Sequence, residues 1–87
     1  MTTVDTIKDT LVSAVFVEVA PADMGLDDSM RDVFGLDSLG FVELRAQCEE
    51  VFGIEIGDDD FTPENFATIR SLAGLVERRT AAVGSGG

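Results

Sequence analysis

Val33-Phe34-Gly35-Leu36-Asp37-Ser38-Leu39 is the stretch whose reading decides the fold. An apolar approach through Gly35 delivers an Asp-Ser pair to the start of a periodic pattern. The pattern runs to Phe52, and Gly53 reads as its stop. The spacing predicts a helix over 38–52 with Ser38 exposed at its positive end. Free backbone N–H groups and the macrodipole there favour negative charge beside the hydroxyl. Leu44, Cys48, Val51 and Phe52 form the expected inward stripe, while Glu43, Glu49 and Glu50 share more exposed faces with Arg45. Leu39, Phe41 and Val42 read equally as core residues or as partner contacts. Gly40 weakens the first turn, and nothing in the sequence explains it.

Upstream, Thr2 or Thr3 caps a first helix with Asp5 in its opening turn. Val4, Ile7, Leu11, Ala14 or Val15, and Val19 fall on one stripe, so this helix is expected to reach Pro21. A rival reading makes Val15-Phe16-Val17-Glu18-Val19 a strand, because it is rich in β-branched residues. The long periodicity favours helix. From Pro21 to Asp37 the chain lacks sustained periodicity, with a short helical turn expected after Asp27-Asp28-Ser29 and with Leu26, Met30, Val33 and Phe34 pinning the loop. The aspartates do not match the Asp-x-Asp-x-Asp-Gly ligand pattern, so no metal site is expected.

Downstream, Ile54 and Ile56 read as core anchors and Asp58-Asp59-Asp60 as a solvated run. Thr62-Pro63-Glu64 has the order cap, first-position proline and first-turn acid, which predicts a short third helix through Phe66. Thr68 caps a fourth helix with Ile69, Leu72, Ala73, Leu75 and Val76 on its buried side and Arg78-Arg79 near its end. The expected fold is all-α: a small four-helix bundle, three main helices and one short, with a long loop between the first two. One domain over 1–79 and a flexible tail over 80–87 complete the organisation.

Of the 17 acidic and 6 basic residues, 13 acids but only 2 bases lie between Asp23 and Glu64. The imbalance surrounds Ser38 and reads as a docking surface for basic protein partners, against the plainer reading of a solvated face. A net charge of −11 argues against nucleic acid and anionic membranes. One cysteine forbids an internal disulfide, and the start lacks the form of a signal peptide. A cytoplasmic monomer is expected. There is no His to activate Cys48, no zinc-ligand cluster and no Gly-x-x-x-x-Gly-Lys loop, so no catalytic residue is assigned and an independent enzyme is not expected. Cys48 reads as a small buried hydrophobe.

The run Phe34-Gly35-Leu36-Asp37-Ser38-Leu39, followed by Phe41-Val42-Glu43-Leu44, resembles the attachment site of acyl carrier proteins, and the resemblance extends over about Thr3 to Arg79. It implies that Ser38 bears a 4′-phosphopantetheine arm, taken from coenzyme A, whose thiol holds acyl groups as thioesters. It implies that Asp37 helps engage the phosphopantetheinyl transferase. Leu39, Val42, Glu43, Glu49 and Glu50 then belong to the surface read by acyltransferases, ketosynthases and reductases. It also implies a cargo that can retreat into the bundle, where small Ala46 would leave room. Gly40-Phe41 and Arg45 depart from the fatty-acid pattern, and the run looks more like discrete carriers of bacterial polyketide pathways, some of which deliver glyceryl or methoxymalonyl units. The alternatives are a fatty-acid carrier, a peptidyl or aminoacyl carrier, and, from another class, an unmodified acidic helical adaptor.

Overall fold

The computed structural model describes residues 2–85, with side chains to residue 81. Three α-helices, α1 (Thr3–Ser13), α2 (Ser38–Phe52) and α3 (Ile69–Ser85), each pack against the other two, and no strand occurs among the described residues. The first loop also holds a 3-10 turn over Pro21–Asp23.

Each helix starts on a side-chain cap. The Thr2 hydroxyl accepts from the Asp5 N–H at 3.1 Å, and Asp37 caps α2. Thr68 Oγ1 accepts from the Ser71 N–H at 3.1 Å while Ser71 Oγ accepts from the Thr68 N–H at 3.1 Å. Such caps satisfy donors that a helix start leaves open, at about 1 kcal/mol each. Gly53, with φ 64°, ends α2 in the left-handed conformation, and its N–H donates to the Glu49 carbonyl.

The core draws on loops as much as on helices. Ile7, Leu11, Leu44, Cys48, Ile69, Leu72, Leu75 and Val76 meet inside, and Met24, Met30, Phe34, Leu36, Ile54, Ile56 and Phe66 close over them. Burying one such side chain contributes about 1.5–3 kcal/mol, enough to hold irregular backbone in place. The first loop is also tied by backbone bonds: Met30 N–H donates to Ala67 O at 2.9 Å and Arg70 N–H to Leu26 O at 3.0 Å. Arg70 forks onto Asp27 at 2.7 and 3.1 Å, and these hydrogen bonds hold the Asp27 carboxyl below the usual carboxylate range. The pair is exposed and adds little to stability.

The structure corrects the expected fold in four places. First, α1 stops at Ser13. Phe16 takes a left-handed φ of 62°, and beyond it Val17 is buried and Val15 and Val19 half-buried while Phe16 and Glu18 face solvent. That is a strand's alternation without a partner strand: the rival reading had the side-chain pattern, and neither reading had the backbone.

Second, 63–66 is one hydrogen-bonded turn, closed by Phe66 N–H onto Thr62 O at 3.1 Å. The Thr62 hydroxyl still accepts from the Asn65 N–H at 3.2 Å, but Thr68, two residues beyond Phe66, must leave helical geometry to cap α3. The bundle therefore has three helices and a turn in place of the fourth.

Third, α3 runs through Ser85, beyond the expected boundary at Arg79. Arg79 is thus mid-helix and pairs with Asp60. The remainder of the expected tail, Gly86-Gly87, lies outside the described residues. Fourth, Val33 and Val51, expected inside, are each 50% exposed. No helix among the described residues is long and apolar enough to cross a membrane.

Candidate functional site

Gly35, at φ 74°, turns the chain so that Leu36 is buried and Asp37 emerges at the surface. Asp37 is the N-cap of α2: its Oδ1 accepts from the Gly40 N–H at 2.8 Å, and its carbonyl accepts from the Phe41 N–H at 2.9 Å. A Cβ on Gly40 would lie 3.4 Å from both that carboxylate oxygen and Leu36 Cγ. Gly40 therefore lets cap and core residue close over the first turn without crowding, the role that was obscure in the sequence.

Ser38 follows as the first helical residue. Its side chain is exposed and, among the described residues, its hydroxyl makes no hydrogen bond, because Asp37 has taken the capping role. The result is an accessible alcohol at the positive end of a 15-residue helix.

Beside it opens a groove of about 450 Å³, within the range of about 300–1,000 Å³ for small-molecule sites. Ser38, Phe41 and Val42 of α2 line it together with Phe61, Phe66 and Ala67 of the later connection and Ser29 and Arg31 of the first loop. Phe61 and Phe66 pack edge to face, centroids 4.9 Å apart. Arg45 fixes this wall. Its Nε donates to Ile56 O at 2.9 Å and its guanidinium lies 5.0 Å over the Phe61 ring.

Leu39, 79% exposed, and Val42, 54% exposed, stand free on the surface near Ser38, and Glu43 and Glu50 are exposed farther along α2. Phe41 is half-buried and faces the groove. Glu49 differs: it is half-buried, and its Oε2 accepts from the Ile56 N–H at 2.9 Å. Its carboxylate fastens the loop after α2. Ala46 is exposed and lines none of this groove, so it makes no room inside the bundle. Burial pushes the Cys48 thiol up to about 12, which keeps it neutral and inert. Among the described residues no cluster of His, Cys, Asp or Glu is arranged to hold a metal ion.

The start of α2 thus presents an exposed serine beside a largely apolar groove. The family model described as "Phosphopantetheine attachment site" matches residues 7–76. A D-alanyl carrier protein of Abiotrophia defectiva is 43% identical over 58 residues, covering 67% of this chain and 73% of the relative. Acyl carrier protein 2 of Pseudomonas aeruginosa is 42% identical over 67 residues, covering 77% and 81%. The holo acyl carrier protein of Nitrosomonas europaea shares the fold, with TM-score 0.82, 22% identity and coverage of 93% of this chain and 99% of the other. The chain belongs to the acyl carrier protein family. Its members carry a covalently attached 4′-phosphopantetheine and are not themselves catalytic.

Proposed function

We propose that Ser38 is the attachment point and that the chain carries acyl intermediates between enzymes of a polyketide-type pathway. One observation carries this reading: Ser38 presents an exposed hydroxyl, unbonded among the described residues, at the rim of the groove. The residues fit the group. The apolar groove offers a bed for the chain, and the helix start favours its phosphodiester by about 0.3–1 kcal/mol. When bound, the group supplies the thiol on which cargo rides as a thioester.

Ser38 Oγ attacks the β-phosphorus of coenzyme A in the transferase's active site. An O–P bond forms, the pyrophosphate P–O bond breaks, adenosine 3′,5′-bisphosphate leaves, and the hydroxyl proton passes to the transferase. Asp37 holds the first turn open to this approach and offers a charge beside it. Leu39 and Val42 supply an apolar contact ringed by Asp37, Glu43 and Glu50, and basic surfaces on transferase, acyltransferase and ketosynthase complement that ring. Such surface pairs give fast, salt-sensitive, weak association, as successive partners require. Gly40-Phe41 and Arg45 support polyketide service; here Arg45 and Phe61 shape the groove wall. The 43% identity to a D-alanyl carrier favours an aminoacyl cargo as the second reading.

Intact mass after incubation with coenzyme A, magnesium and a broad-specificity transferase tests the assignment. One phosphopantetheine on the native chain and none on Ser38→Ala is the expected result. A folded native chain that stays unmodified with several transferases would sink it. Competitive loading with acyl- and aminoacyl-activating enzymes then separates the two cargos.

A further inference from the structure

Among the described residues, Arg31 is the only Lys or Arg that lines the groove Ser38 lines. It is exposed, and among the described residues it joins no ion pair, whereas Arg45, Arg70 and Arg79 are committed to Asp58, Asp27 and Asp60. Nor does the loop rely on it for anchorage, since Met30 and Phe34 on either side are buried. Its placement is built in: the Leu36 N–H donates to the Met30 carbonyl at 3.1 Å, folding 30–36 back, and Arg31 lines the same groove as Ser38.

The charge around it gives this placement a use. Arg31 is one of 2 bases among 13 acids between Asp23 and Glu64, and the other, Arg45, is turned toward Asp58 and Phe61. A phosphodiester on Ser38 adds an anion next to the Asp37 carboxylate. A guanidinium is suited to two phosphate oxygens at once.

We propose that Arg31 is the positioning residue for the prosthetic arm. Its guanidinium holds the phosphodiester on Ser38, and so directs the pantetheine chain along the groove lined by Phe41, Phe61 and Phe66. This deepens the carrier reading and rests on Ser38 as the attachment point.

Phosphorus NMR on fully armed native, Arg31→Ala and Arg31→Lys proteins, each verified by intact mass, tests it. The phosphodiester resonance of Arg31→Ala is expected to separate from the native one by more than a line width, with Arg31→Lys between them. Added sodium chloride should move the native resonance toward the Arg31→Ala position and leave that variant in place, because salt screens an exposed pair. Exposure of Arg31 makes all three proteins foldable, and unchanged circular dichroism checks this. Coincident resonances in an armed, folded set would overturn the Arg31 assignment alone. So would a separation that appears only with a malonyl and not an acetyl cargo, since Arg31 would then answer to the cargo's carboxylate. A chain that accepts no arm would overturn both readings, and intact mass tells the two failures apart.

Discussion

Arg45 of α2 and Phe61 of the following connection form a stacked pair, guanidinium carbon 5.0 Å from the ring centroid, with Arg45 Nε also donating to Ile56 O. The same arginine reaches Asp58 at 3.1 Å, but Asp58 is 96% exposed and that contact adds little. Stack and backbone bond are therefore the working parts. Arg45→Ala is expected to lower stability by about 1–3 kcal/mol in urea melts. Arg45→Lys, which keeps the charge but loses the planar fork, should recover less than half. The largest amide shift changes should fall at Phe61 and Phe66. Changes confined to Asp58 would refute the stack as the wall's support.

Asp37 has two separable roles. Asp37→Ala removes the bond from the Gly40 N–H and should cost about 1 kcal/mol. Asp37→Asn can keep that bond, so it should hold stability near native. If the carboxylate's charge engages the transferase, the same Asn variant will be armed more slowly. Equal arming rates for native and Asn proteins would reduce Asp37 to a cap.

Phe16 holds a left-handed backbone while 79% exposed, so its ring returns little burial for the strain. That conformation costs an ordinary L-residue about 1–2 kcal/mol, and asparagine tolerates it better. Phe16→Asn is expected to raise the urea midpoint at an unchanged slope. A lowered midpoint would show that the ring is held by contacts worth more than the strain.

Cys48 makes the protein sensitive to alkali. Its folded pKa of about 12 lies above the ordinary thiol value of 9.0, so between these the unfolded chain has shed a proton that the folded chain keeps. Stability from this group is complete below pH 9 and falls by about 1.4 kcal/mol per unit as pH rises toward 12. The chain has no Tyr and a single lysine. The difference between native and Cys48→Ala stabilities should shrink steadily from pH 9 to pH 11. A constant difference would contradict the buried neutral thiol.

The parts legible in sequence were those written in local chemistry. Asp37 and Gly53 bounded α2 because a cap and a left-handed stop act within a few residues, and Thr68 marked α3 for the same reason. Ser38 stood out because an Asp-Ser pair at a helix start and the motif around it are local features. What stayed hidden depends on partners distant in sequence. Nothing near Glu49 or Arg45 announces that both reach the backbone of Ile56, so two charged residues read as surface are structural ties. The helical stripe continuing to Val19 was genuine as apolar content, but Phe16 breaks the backbone, and Val15, Val17 and Val19 reach the core by alternation instead. Arg31 carried no motif at all. Only the fold of 30–36 brings it to the groove.

The segment that alternates from Val15 to Val19 has a consequence for crowded solutions. A β-branched apolar run that pairs with no strand among the described residues is a segment onto which a second chain can collect, and the exposed Phe16 gives it an adhesive tip. Glu18 in its middle, Pro21 at its end and a net charge of −11 are gatekeepers against that addition. Colloidal behaviour and docking thus draw on one reserve of negative charge. Concentrated salt, which screens the charge offered to the proposed basic partners, also lowers the barrier to self-association at this segment.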